Sequence, residues 1–264
     1  MLNSWKDELE RLVASAGERT PTELINGIRD IGVAMGHETG EALLDSHPEL
    51  FTYRSMLTQA FIEMVHAQDV AETGQMLDVK QPASFAQIAT EETTIGVMSS
   101  KDAYKRLDEV FEHVDFSRCA RAVMVGCGGR PFTMFRIHDQ TPVPEIIGLD
   151  IVSEAAETAN ILAGKLGYTR CHAELCNGRD YDYRGAQVVY VASMVSPKAA
   201  IVSRIAETAP PDLQLVLWEP YSLARLWSER AEETLDPRLE VVGRTSVSRS
   251  MTRDVFVHFR SGES

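Results

Sequence analysis

Two apolar patterns run along this chain, and they change over near residue 115. Before it, apolar residues recur at helical spacing. Leu57, Ala60, Phe61, Met64 and Val65 fall on one helix face, and Tyr104, Leu107, Phe111 and Val114 on another. This predicts an all-helical first part over residues 1–114, standing as a cap on a second domain over 115–264. Between 71 and 100 the period weakens around Gly74, Pro82 and the polar run Glu91-Glu92-Thr93-Thr94. A connecting loop or a lid is expected there.

After residue 115, short apolar runs alternate with helical stripes. The runs 122–125, 146–149, 169–175, 186–193 and 213–219 read as strands, the first of them short and partly β-branched, as burial on both faces requires. Ser153 is placed to cap a helix whose Ala155, Ala159, Leu162 and Leu166 share a stripe, with Gly167 ending it. Ser196-Pro197 opens another helix, with proline in the tolerated first turn. The last stretch, LEVVGRTSVSRSMTRDVFVHF, holds two strand-like runs and predicts an antiparallel pair closing the sheet. Strand–helix alternation of this kind makes a three-layer α/β sandwich with a largely parallel sheet. Its ligands bind at the strands' carboxyl ends, beside the switch in strand order.

The most informative segment lies at that position. An apolar run, Ala122 to Val125, is followed at once by Gly126, Gly128 and Gly129, and a second run ends in Asp150. Glycines let the backbone turn sharply and approach a ligand without a Cβ in the way. An acid at the end of the second strand accepts hydrogen bonds from ribose hydroxyls. The pattern predicts a nucleotide-type site, read here as one for S-adenosylmethionine. A nicotinamide dinucleotide site would want a third glycine where Pro131 stands.

Composition narrows the partners. The 264 residues carry a formal charge of −13, which argues against nucleic acid and anionic membrane and for a small-molecule substrate. The opening MLNSWKDELERLV holds acids and no long apolar stretch, so neither a secretory signal nor a membrane span is expected. Cys119, Cys127, Cys171 and Cys176 lack paired metal spacing and the histidines are scattered, which predicts no metal and reduced thiols in a cytoplasmic protein.

The stretch VGCGGRPFTMF, residues 125–135, resembles the glycine motif of nicotianamine synthases and their bacterial relatives, a Gly-Ser-Gly-Pro-Leu-Pro turn before a short helix. Gly126, Gly128 and Pro131 match it, whereas Gly129 stands in place of a proline and Cys127 in place of a serine. VVYVASMVSPKAAIVSRI, residues 188–205, is similar to the family's Val-Val-Phe-Leu-Ala-Ala-Leu-Val-Gly run and the helix after it, and RDVFVHFR resembles its final strand. The resemblance covers residues 121–262. The helical part matches only as helices. The family's Phe-Pro-Tyr-Tyr segment before the glycine turn is absent, so no substrate-binding residue carries over there.

The resemblance implies a class I methyltransferase-like, Rossmann-like sandwich behind a helical cap, and chemistry at Cγ of the aminocarboxypropyl arm. Some relatives are azetidine-2-carboxylate synthases, in which the arm's own amine closes a four-membered ring and methylthioadenosine leaves. Transfer of the arm to an amino-acid amine, ordinary methyl transfer and a catalytically inactive binder remain the alternatives. Candidate ligand residues are Gly126, Cys127, Gly128, Gly129, Asp150 and Ile151 around the turn, and Ala192, Ser193 and Met194 after the fourth strand. Glu174, which resembles the family's acid at the end of the third strand, joins Cys176 and Asn177 near the adenine. Ser99 and Tyr104, with Ser100, are expected at the cofactor carboxylate. Tyr190 and Ser193 are the expected catalytic groups. Glu219 and Tyr221 are weaker candidates, and Trp218 is read as packing.

Overall fold

The computed structural model describes residues 2–89 and 100–260. Six helices precede the sheet among them: α1 (Leu2–Ala14), α2 (Pro21–Met35), α3 (His37–Ser46), α4 (Arg54–Asp78), the single turn α5 (Phe85–Ile88) and α6 (Ser100–His113). Local chemistry sets their limits. Thr20 and Glu23 form a reciprocal capping box at the start of α2, satisfying two otherwise orphaned N–H groups. Gly36, at φ +83°, turns the chain from α2 into α3. Residues 71–78 of the expected loop are instead the last part of α4, and residues 79–84 form the connection to α5. Buried Glu72 and Met76 dock that end of the helix, and packing outweighs the helix-weakening effect of Gly74. The Glu91–Thr94 run and Ser99 lie outside the described residues.

The second part alternates β1 (Arg121–Val125), α7 (Phe132–Gln140), β2 (Glu145–Asp150), α8 (Ser153–Leu166), β3 (Cys171–Leu175), β4 (Val188–Val191), α9 (Lys198–Thr208), β5 (Gln214–Pro220), β6 (Leu239–Arg244) and β7 (Thr252–Phe259). The strand order is β3-β2-β1-β4-β5-β7-β6, with β1 to β5 parallel and β7 antiparallel to both its neighbours. This is the class I methyltransferase-like sandwich with an antiparallel close. Successive strands are added outward on one side of β1 up to β3 and on its other side from β4 onward, so the crevice at the carboxyl ends of β1 and β4 is the switch point.

Two expected caps are corrected. Ser153 is the first residue of α8, and Val152 occupies the cap position without a side-chain bond. Pro197 precedes α9 in an extended conformation and does not lie in its first turn. Gly167 ends α8 in the left-handed conformation, as glycine allows.

Apolar side chains fill three layers. One lies between the sheet and α6, α7 and α8, another between the sheet and α9. The third is inside α1 to α4 and takes in Leu223, Leu226, Trp227 and Met251 from the sheet half. The helical part is thereby seated beside the carboxyl end of β5. No helix among the described residues is long and apolar enough to cross a membrane.

Candidate functional site

The turn after β1 is built from backbone, and each glycine has its own reason. Gly126 sits at φ +75°, where a Cβ would come within 2.6 Å of Val195. Gly128 sits at φ +64°, and a Cβ there would meet nothing within 4 Å. Packing therefore dictates the first glycine, while the second borders open space at the switch point. Gly129 backs onto α8, its missing Cβ 3.3 Å from Thr158.

Asp150 holds this turn from below. Its Oδ2 accepts from the Gly128 N–H at 2.8 Å and its Oδ1 from the Val152 N–H at 3.0 Å. A carboxylate offers about four acceptor positions, so a vicinal diol can still bind beside these two bonds. Next to it, Ile151 is 68% exposed, Val152 48% and, across the β2–β3 register from Asp150, Leu175 64%. Three large apolar side chains left in water at strand ends form a lip suited to a flat apolar face. Val152 and Leu175 were not foreseen from sequence, although each sits beside a residue that was.

Other candidates occupy different places from those expected. The Cys127 thiol turns inward onto Gly148, whose absent Cβ would lie 2.8 Å from Sγ, and burial beside Asp150 pushes it up to about 12. It is packing under the turn. Cys176 gives its N–H to the Asp150 carbonyl at 2.8 Å, and Asn177 Oδ1 accepts from the Arg179 N–H at 3.1 Å, so both shape the β3 exit. Glu174 points along the edge strand to His172, 2.9 Å away, rather than over the strand end. Tyr104 is buried, its hydroxyl donating to Asp139, the eighth residue of α7. Asp139 is toward the end of α7 away from the glycine turn, and the bond to it uses the hydroxyl's one proton. Ser99 lies outside the described residues.

The β4 end divides the two expected catalytic residues. Ser193 is 8% exposed, its carbonyl accepts from the Ser228 hydroxyl, and its own hydroxyl has no partner among the described residues. Tyr190 is 2% exposed and fully engaged: its hydroxyl donates to Asp254 Oδ1 at 2.5 Å and accepts from Arg106 at 3.0 Å. Burial pushes its ionisation well above the ordinary tyrosine value, against the opposing charge of Arg106. A phenol so placed is a poor base, and Tyr190, expected among the catalytic groups, stands in the wall of the crevice. Arg106 in turn pairs with Asp254 and lies 4.3 Å from the Trp218 ring centroid. This cluster joins α6 to β4, β5 and β7.

At the β5 end, Glu219 forms a wholly buried pair with Lys198 at 3.2 Å and accepts from the Ala231 N–H at 2.7 Å. Burial lowers the lysine's ionisation, with Glu219 opposing. Tyr221 donates to Glu38 of α3 at 2.8 Å, and Glu41 accepts from the Ser222 N–H and pairs with Arg225 at 2.9 Å. These contacts hold the helical part in place. The same applies to Arg130, directly after the turn, which pairs with Asp69 and Glu72 of α4. No group of three potential metal ligands occurs among the described residues.

No protein-family model matches the chain, and no curated protein matches it in sequence. Among solved structures it is similar to a glutamate-to-glutamine mutant of the nicotianamine synthase MtNAS in complex with S-adenosylmethionine, at TM-score 0.73 and 14% identity over 97% of this chain and 98% of that one. MtNAS in complex with MTA and tNA gives TM-score 0.69 and 15% identity, with 97% of each chain covered. The mitomycin 7-O-methyltransferase MmcR gives 0.50 and 16%, covering 97% of this chain and 95% of that one. At such identities the likeness is one of fold, and with MtNAS it includes the helical first part.

Proposed function

We propose that the chain binds S-adenosylmethionine across the glycine turn and cleaves its Cγ–S bond, with the arm's own amine closing azetidine-2-carboxylate. The observation that carries this reading is the turn itself: open space over Gly128 at φ +64°, with Asp150 beneath it and an apolar lip beside it. Full-length likeness to a protein solved with S-adenosylmethionine, and again with MTA, supports Cγ chemistry over methyl transfer.

The roles follow from placement. Asp150 accepts the ribose hydroxyls and keeps the turn in register, while Gly128 lets the backbone approach the ligand and Gly126 and Gly129 let the turn pack against Val195 and α8. Ile151, with Val152 and Leu175, covers the purine face. Ala192 and Met194 border the arm, and Ser193, with its unpartnered hydroxyl, orients the amine. In the reaction the amine nitrogen forms a bond to Cγ as the C–S pair of electrons moves to sulfur. The one proton released leaves the amine for water before the attack, and the ring nitrogen ends as the secondary ammonium of the product. Holding a tethered nucleophile in line can lower a barrier by roughly 7–11 kcal/mol, enough to work against ring strain.

The test is turnover of carbon-labelled S-adenosylmethionine with no added amine. Azetidine-2-carboxylate and methylthioadenosine should appear in equal amounts, with a rate that rises through the amine's deprotonation near pH 8. A second reading, transfer of the arm to a separate amine, draws on the MtNAS structure solved with tNA. A condensed product formed only when an amino acid is added would replace cyclisation by transfer.

A further inference from the structure

Arg130 takes no part in the chemistry above, yet it is one of the most constrained residues beside the site. It follows Gly128 by two positions and is 8% exposed. Its Nε donates to Asp69 Oδ1 at 2.7 Å, a terminal nitrogen lies 2.6 Å from the same oxygen, and the other terminal nitrogen donates to Glu72. Glu72 is wholly buried and also accepts from Gln68 at 2.7 Å. Asp69 and Glu72 stand one turn apart on α4, so a planar guanidinium engages both.

The turn is thus held from two sides. Asp150 holds it through the Gly128 N–H, and α4 holds it through Arg130. Arg130 supplies one of the charge-assisted bonds to the buried Glu72 carboxylate, so replacing it weakens the docking of the C-terminal half of α4. The Arg130 carbonyl also accepts from the Phe132 N–H at 2.8 Å, tying the guanidinium's backbone to the turn that opens α7.

We infer that Arg130 is a positioning residue that links the helical part to ligand binding: docking of α4 fixes the turn conformation, and a ligand at the turn stabilises α4 in return. The linkage is reciprocal because both events bias one two-state element. It rests on the proposed S-adenosylmethionine reading.

The test uses the full chain and S-adenosylmethionine. In the wild type, adding ligand should slow amide hydrogen exchange across residues 64–78, which no bound atom needs to touch. Arg130→Lys keeps the charge and loses the fork, and Glu72→Gln keeps the shape and loses the charge. Each should weaken binding by calorimetry about fivefold or more, the lower range of measured couplings. Met64→Ala, a cavity in the same helix, should lower the melting temperature and leave affinity unchanged. Unchanged exchange over 64–78 in the liganded wild type overturns the linkage, whether or not the variants fold. Affinities within twofold of wild type in folded variants do the same. If Asp150→Ala abolishes binding while the Arg130 and Glu72 variants bind normally, only the linkage fails. If the wild type binds no S-adenosylmethionine, the functional reading falls and the linkage with it.

Discussion

The two walls of the switch-point crevice are built on opposite plans. On the β1–β2 side, backbone does the shaping: Gly128 borders open space, the Asp150 carboxylate braces the turn through N–H groups, and apolar side chains stand in water. On the β4–β5–β7 side, side chains answer one another: Tyr190, Asp254 and Arg106 close a buried network, and Lys198 closes with Glu219. The first wall turns backbone and apolar side chains toward the crevice, whereas the second commits Tyr190, Asp254, Arg106, Lys198 and Glu219 to one another and leaves the Ser193 hydroxyl for the ligand. Substitutions should therefore separate, with affinity changing at the glycine turn and Asp150 and stability at the Tyr190–Asp254–Arg106 network.

The largest effect is expected on the second wall. Arg106→Met leaves the Asp254 carboxylate buried and unpaired, which should lower unfolding free energy by about 3–5 kcal/mol in urea titrations. Tyr190→Phe keeps the Arg106–Asp254 pair and removes one donor, for a loss of about 1–3 kcal/mol. If Tyr190→Phe instead abolished turnover in a fully stable protein, the wall assignment would be wrong and the original catalytic expectation would return.

On the first wall, Asp150→Ala should weaken S-adenosylmethionine binding by about 1.5–3 kcal/mol by calorimetry, through loss of charged hydrogen bonds. Gly128→Val sharpens the contrast further. The left-handed backbone should reduce stability by about 1–2 kcal/mol, because a Cβ there is strained but meets no neighbour. Binding should be lost almost entirely, since the branched side chain enters the ligand's space. Unchanged affinity in that folded variant would place the ligand elsewhere.

How far these walls were legible depends on the range of the interactions. Buried parallel strands demand continuous apolar runs, so β1, the turn and Asp150 could be read from about thirty adjacent residues. Positive φ at Gly126 and Gly128 follows from residue type. The second wall joins Arg106 to Asp254 across 148 positions, and Arg130 reaches Glu72 across 58. No local period records such pairs. Strand position placed Tyr190 at the crevice, but only the β7 partner shows where its hydroxyl is used. Gly74 misled for a related reason: its cost is local, and the burial of Glu72 and Met76 that offsets it is not.

The smallest effect at working pH comes from buried neutral acids. Burial raises the Cys119 thiol to about 11, those of Cys127 and Cys171 to about 12, and Tyr190 well above its ordinary value. A folded value above the unfolded one means stability fully present below the unfolded value and lost as pH rises through the folded one. Melting temperature should therefore be unaffected by these groups near neutrality and fall progressively above about pH 9. A flat profile to pH 11 would show that these groups are hydrated.

The most direct test of the central claim is the nucleoside released in turnover. Purified protein with S-adenosylmethionine and a panel of amino acids, followed by mass spectrometry, should yield methylthioadenosine, the product required by attack at Cγ. S-adenosylhomocysteine as the only nucleoside product would contradict the account and make the chain a methyltransferase.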